Sequence, residues 1–183
     1  MDFHVERFIN IAGFAVVLPT AAALLALYLA FRFSVENRNA LDQLKWPFSV
    51  FLLSRWFAGF ILGPVLAAAW LSWSASPGLE GAGSFPGTYP YWQIALCILS
   101  VGGVSIMINM WCAIPLLGGF LAPLAMSSGI AFGEAYLESF GVASQQGIGT
   151  VMAFAGSFIG LLVLNFPVAI WRDKRKNHAI ADN

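Results

Sequence analysis

Between Tyr91 and Gly133 the chain runs for 43 residues without one Asp, Glu, Lys or Arg. A single α-helix of that length would reach about 65 Å, roughly twice the ~30 Å hydrocarbon thickness of a bilayer. The block must therefore fold back on itself. The reversal is expected over 113–119, where Pro115 and the Gly118-Gly119 pair interrupt helix propagation. Two full crossings and a re-entrant hairpin would both return the chain to the face it left. Two crossings are preferred, because each arm has the ~20 residues that a span needs. Ile114, Leu116, Leu117 and Phe120 are unusually apolar for a water-exposed turn, which keeps the re-entrant hairpin as the alternative.

The rest of the chain is of the same kind. Hydrophobic residues make up 59% of 183 positions and charged residues 10%, against about a quarter charged in a soluble domain. So few charges cannot cover a water-facing surface, and lipid must take the place of water over much of it. The pattern predicts an all-α integral membrane protein: a single membrane domain over 1–183, a bundle of about five transmembrane helices (or three plus a re-entrant hairpin). The spans are expected at about 8–31, 48–73, 91–112, 119–133 and 148–171, followed by a polar, mobile tail at 172–183. Pro47 suits the first turn of the second span. The first apolar run is longer than the 7–15 residues of a signal-peptide core and continues past Ala21-Ala22-Ala23, so it is read as a retained span.

Aromatic residues mark the boundaries. Trp46, Trp70, Trp73, Tyr89, Tyr91, Trp92 and Trp171 fall at span ends, Trp111 beside the turn, and Trp56 a turn or two inside its helix. Such rings favour the membrane–water interface, where the ring is buried and its N–H or O–H stays wet. Basic residues set the direction. The linker after the first span holds Arg32, Arg38 and Lys45 and the tail holds Arg172, Lys174, Arg175 and Lys176. Arg7 alone stands on the other face, where the loops 74–90 and 134–147 have no Lys or Arg. The positive-inside rule then puts the N-terminus outside and the C-terminus in the cytoplasm, most simply of a bacterial inner (plasma) membrane.

Small and broken positions are frequent. GxxxG pairs occur at Gly59/Gly63, Gly129/Gly133 and Gly156/Gly160, with Ala153 and Ser157 beside the last. Such pairs let backbones approach closely, within one subunit or between subunits. Pro19, Pro64, Pro123 and Pro167 interrupt four spans, which favours kinks.

Few polar residues lie at membrane depth. Asn109 and Asn165 are expected to hydrogen-bond between helices, with a solute path as the sharper reading, and Asn165 stands close enough to Pro167 to serve the carbonyl that the proline frees. Arg55, near the cytoplasmic end of its span, is expected to snorkel to the headgroups; the rival is an anchor for a phospholipid phosphate or a substrate carboxylate. Glu134 and Glu138 share a helix face at the outer end of the fourth span. They are read as a solvated, acidic helix end with Glu80, or else as a cation-attracting mouth or a docking patch for a basic partner. The run Trp171 to Lys176 reads as a topology anchor that binds anionic lipid through Arg172, Lys174, Arg175 and Lys176.

Much chemistry is disfavoured. Cys97 and Cys112 would lie about 22 Å apart on a continuous helix, beyond the ~7 Å that a disulfide allows. His4 and His178 stand at opposite termini, so no haem or metal ligand set is expected, and no cofactor. Net charge is zero, which gives nucleic-acid binding no support. No nucleophile elbow, phosphate loop, zinc-protease helix or CxxC pair is present, which weighs against an enzyme. The expected function is a non-catalytic integral subunit of a larger membrane complex (secretion, conjugation, respiratory or transport), partnered by lipid and by other membrane subunits or copies of itself. The alternatives are a small channel or transporter for a solute or cation, then a membrane enzyme without a recognisable motif.

Overall fold

The computed structural model describes residues 3–33, 46–72, 89–140 and 147–181. Among these residues all regular structure is helical: α1 (Val5–Ala12), a π-helical turn (Gly13–Val17), α2 (Leu18–Phe33), α3 (Trp46–Leu71), α4 (Tyr91–Trp111), α5 (Pro115–Glu138) and α6 (Ile148–Ala181). The first three run on as one path. Five helices are long and apolar enough to cross a membrane: Val5–Leu27, Leu53–Leu71, Tyr91–Trp111, Pro115–Glu138 and Ile148–His178.

The π turn has a local cause. In a regular helix the ring of Pro19 would collide with the carbonyl of Ala15. The wide turn immediately before it, where the Leu18 N–H reaches back to the Gly13 carbonyl, relieves that crowding. Pro64, Pro123 and Pro167 also lie inside their helices.

The charge-free block becomes α4 and α5, of 21 and 24 residues, joined by 112–114. At ~1.5 Å per residue each is long enough to cross the hydrocarbon. The reversal is tighter than expected. Pro115 takes the first helical position, where its missing N–H costs nothing, and Gly118 and Gly119 fall inside α5. They do not break the helix; they thin it. A Cβ on Gly118 would meet the Cβ of Cys112 at 2.5 Å, and one on Gly119 the Cβ of Ala169 at 2.6 Å. The last helix also differs from expectation. It continues beyond 171 to Ala181, so the basic segment is helical, and α6 is about 51 Å long at ~1.5 Å per residue.

α5 is the hub. Buried positions make up 72% of its apolar span, against 11–28% in the other four spans. Its buried face mixes small residues, such as Gly118, Gly119, Ala122, Ala125, Gly129 and Ala131, with fully buried Leu124 and Met126. The outer helices turn large apolar side chains outward, such as Phe14, Leu99, Met152 and Val163, all more than half exposed. A surface of that kind is a liability in water and ordinary in lipid.

The helices alternate in direction between two ends. The loop end gathers the start of α1, the end of α3, the start of α4, the end of α5 and the start of α6. There the His4 N–H donates to the Ser139 carbonyl at 3.1 Å. The turn end holds 112–114, with Arg55 of α3 and Arg172 of α6 beside it. A ladder of rings ties the bundle laterally: Trp56 stacks on Phe60, Phe60 meets Phe132, and Phe132 meets Phe8. Trp56, inside its helix in the sequence, is explained by this stacking. Arg38, Lys45, Trp73 and Glu80 lie outside the described residues.

Candidate functional site

A helix leaves its first N–H and last C=O groups without intrahelical partners, and these ends need outside help where water is scarce. Polar side chains of neighbouring elements supply it. At the end of α3, the Gln93 side-chain amide donates to the Trp70 carbonyl and the Tyr89 hydroxyl donates to the Leu71 carbonyl at 2.6 Å. The Trp70 indole N–H donates to Ser100 Oγ at 3.0 Å, which fastens the same end to α4. Burial, and secondarily the Glu134 carboxylate, raise the Tyr89 pKa, so this phenol stays a donor.

Glu138 performs the corresponding task at the start of α6. Its carboxylate accepts the Gly147 N–H at 2.9 Å and the Thr150 N–H at 3.2 Å, across the connection from α5. The residue is 4% exposed. This corrects the expectation of a solvated helix end: the dipole at the end of its own helix opposes the charge, while the start of α6 attracts it. Gly149 makes the room, because a Cβ there would meet Glu138 Oε1 at 2.5 Å. Gly147 has φ +81°, a conformation that favours glycine. Glu134 is half-buried beside this cap, its Oε1 3.7 Å from the same Cβ position. A signal for the cap exists in the sequence. Gly147, just before α6, has no side chain to cap it, so an acceptor must come from elsewhere.

At the turn end the cation does the equivalent. Arg172 donates to the Asn109 carbonyl at 2.6 Å and to the Cys112 carbonyl at 3.0 Å, closing the end of α4 where positive charge is favoured. Arg172 is therefore engaged within the bundle. Arg55 hydrogen-bonds the Cys112 thiol, whose pKa is raised by burial and pulled back by both guanidinium groups. Burial prevails, and the thiol stays above its ordinary pKa.

The two asparagines join α4 to α6. The Asn109 amide donates to the Asn165 carbonyl at 3.2 Å, and the Asn165 amide donates to Ser105 Oγ at 2.8 Å and the Leu161 carbonyl at 2.9 Å. The carbonyl freed by Pro167 is that of Val163, so Asn165 does not serve it, contrary to the proximity noted in the sequence. Thr20 and Ser128 pair at 2.8 Å between α2 and α5, a contact that the sequence does not single out. The side-chain oxygens of Asn109, Asn165, Ser127 and Thr150 have no hydrogen-bond partner among the described residues.

The glycine pairs divide into two kinds. Gly59/Gly63 of α3 pack against Ala125 and Met126 of α5, and Gly129/Gly133 of α5 pack against Phe60 and Pro64 of α3. A Cβ on Gly63 would stand 2.5 Å from the Met126 carbonyl oxygen, and one on Gly129 would overlap the Phe60 carbonyl oxygen. Phe60 is four residues before Pro64, so its carbonyl is the one that the proline leaves without a helical donor. Gly129 lets α5 cover that oxygen closely, with glycine Cα–H groups against it. Gly156 and Gly160 are different. Both are exposed, and a Cβ on either would meet nothing within 4 Å among the described residues.

Several open grooves border the bundle among the described residues. One of about 640 Å³ lies at the loop end, between α1 and α6, with Glu6, Arg7, Asn10, Phe14, Gly147 and Met152 among its lining. A second, of about 500 Å³, is lined by Phe3, His4, Val5, Glu6 and Arg7. Another, of about 470 Å³, lies at the turn end and is lined by Ser54, Arg55, Ala58, Ile108 and Trp111. Among the described residues no three His, Cys, Asp or Glu side chains gather with metal-binding geometry. Comparison with protein-family models, with curated proteins and with solved structures finds no match.

Proposed function

We propose that this chain is a non-catalytic integral subunit of a larger membrane assembly, with its N-terminus outside, its C-terminus in the cytoplasm, and α6 as the helix that docks a partner. The observation that carries the reading is the division of the glycine pairs. Two of the three are closed by the α3–α5 crossing, whereas Gly156/Gly160 is exposed and meets nothing within 4 Å among the described residues. A flat glycine surface in lipid gains van der Waals contact only when another helix lies on it. The partner is a transmembrane helix of a second copy or of another subunit. The deployment of the polar side chains supports the same reading: Asn109, Asn165, Gln93, Glu138 and Arg172 hold helices and helix ends together. A channel or carrier for a small solute has less support, because the two asparagines that would border its path bridge α4 and α6.

Native mass spectrometry after extraction in mild detergent, with cross-linking in cells, tests the proposal. A complex is expected, and Gly160→Leu is expected to weaken it by tenfold or more while the single chain stays folded. A lone monomer without cross-linked partner, or a complex indifferent to Gly160→Leu, would refute it.

A further inference from the structure

We propose that the face of α6 carrying Trp171, Lys174 and Arg175 binds an anionic phospholipid, with the two cations on the phosphate and the acyl chains along the helix below. The inference rests on the membrane placement above but not on any partner subunit. Residues three, four and seven apart share one side of a helix, and α6 is helical through this segment. That puts Trp171, Lys174, Arg175 and His178 on one side, and all four are exposed. The Arg175 guanidinium carbon lies 4.3 Å from the centroid of the Trp171 ring, which fixes the arrangement. Arg172 and Lys176 follow Asn165 and Ala169 along another side, where Arg172 is engaged by the Asn109 and Cys112 carbonyls. The basic residues of the run therefore do not form one undivided cluster.

The level along the helix decides the occupant. Arg172 reaches the Cys112 carbonyl, so Trp171 stands level with the reversal between α4 and α5, where Trp111 is 61% exposed. Indole rings at helix ends mark the water–lipid boundary. Lys174 and Arg175 follow about 5–6 Å further along the axis, inside a headgroup layer about 5–8 Å deep. A basic pair at that depth meets lipid phosphates before it meets a protein from solution. Asp173 is the one acidic residue of 171–181, and two positions from both Trp171 and Arg175 it faces elsewhere. Toward the hydrocarbon the same side continues with Pro167 and Leu164, both exposed, an apolar track for acyl chains. A guanidinium fork matches a pair of phosphate oxygens, and the ammonium beside it adds a second charge. Free phosphate would meet the charges and leave that track bare; a phospholipid covers both.

Native mass spectrometry of the detergent-purified chain with added phosphatidylglycerol, phosphatidylcholine or inorganic phosphate tests this. One phosphatidylglycerol is expected to be retained, at least tenfold more strongly than phosphatidylcholine, with no competition from millimolar phosphate. Lys174→Gln and Arg175→Gln are each expected to lower that retention by roughly fivefold, and together by tenfold or more. Lys176→Gln removes the same charge from another side of the helix and is expected to lower it less than twofold. Equal retention of both lipids, displacement by phosphate alone, or equal losses in Lys176→Gln and Lys174→Gln would overturn the site. Displacement by an equimolar glutamate-rich peptide would also overturn it, and would assign the face to an acidic protein segment. All three substitutions change exposed side chains, so the variants are expected to fold as the parent does. The lipid is read on the single chain, so its loss is distinguishable from loss of the complex that Gly160→Leu probes.

Discussion

Glu138 shows how one residue changes meaning when the chain folds. In the sequence it is one of two carboxylates four residues apart at a helix end. In the fold it is a buried acceptor for two N–H groups of another helix. Charge-assisted hydrogen bonds contribute roughly 1.5–3 kcal/mol, and a donor left unmet costs a similar amount. Glu138→Ala is therefore expected to destabilise the bundle by about 2 kcal/mol, measured as a lowered thermal midpoint in detergent. Glu138→Gln retains one acceptor and is expected to lose about half as much. An unchanged midpoint in Glu138→Ala would remove the cap from the account. Arg172, Gln93 and Tyr89 follow the same logic. Each residue type was visible beforehand, but its partner is a backbone group on an element distant in sequence, and no local pattern reveals that pairing. What was legible was the need: an amide or a charge at membrane depth requires a partner.

At the scale of elements the sequence was most informative where lipid imposes a length. The 43-residue block had to become two helices, and it did, because neither arm can be longer than a crossing plus its turn. Its glycines were harder to read. Gly118-Gly119 has the composition of a turn and the role of a packing surface, since glycine both weakens a helix in water and lets helices touch in a membrane. Pro64 and Gly129 make the point most sharply: the proline frees the Phe60 carbonyl on α3, and the glycine on α5 lets a neighbouring backbone cover it. Gly129→Ala must push the helices apart against backbone atoms, and overpacking of this kind costs about 1–3 kcal/mol. Gly156→Ala meets no atom within 4 Å among the described residues and is expected to leave the stability of the single chain unchanged. Parallel detergent unfolding of the two variants checks the contrast, and equal losses would contradict the assignment of inner and outer glycine faces.

The whole molecule is a hub helix surrounded by others that keep their broad apolar faces outward. With 72% of its span buried, α5 has little contact left to make; with 11–28% buried, the other four have a great deal. In water that surface would drive collapse or aggregation, and in hydrocarbon it is at rest. The alternation of the five helices puts the described ends of the chain, near His4 and Ala181, at opposite ends of the bundle. This agrees with an odd number of crossings, as the distribution of lysine and arginine requires. The functional reading above, with its docking face on α6, presupposes that hydrocarbon surrounds the bundle. An alkaline carbonate wash of membranes from cells expressing the chain, followed by ultracentrifugation, measures this directly. The account predicts that the protein stays in the pellet and is released only by detergent; recovery in the carbonate supernatant would contradict it.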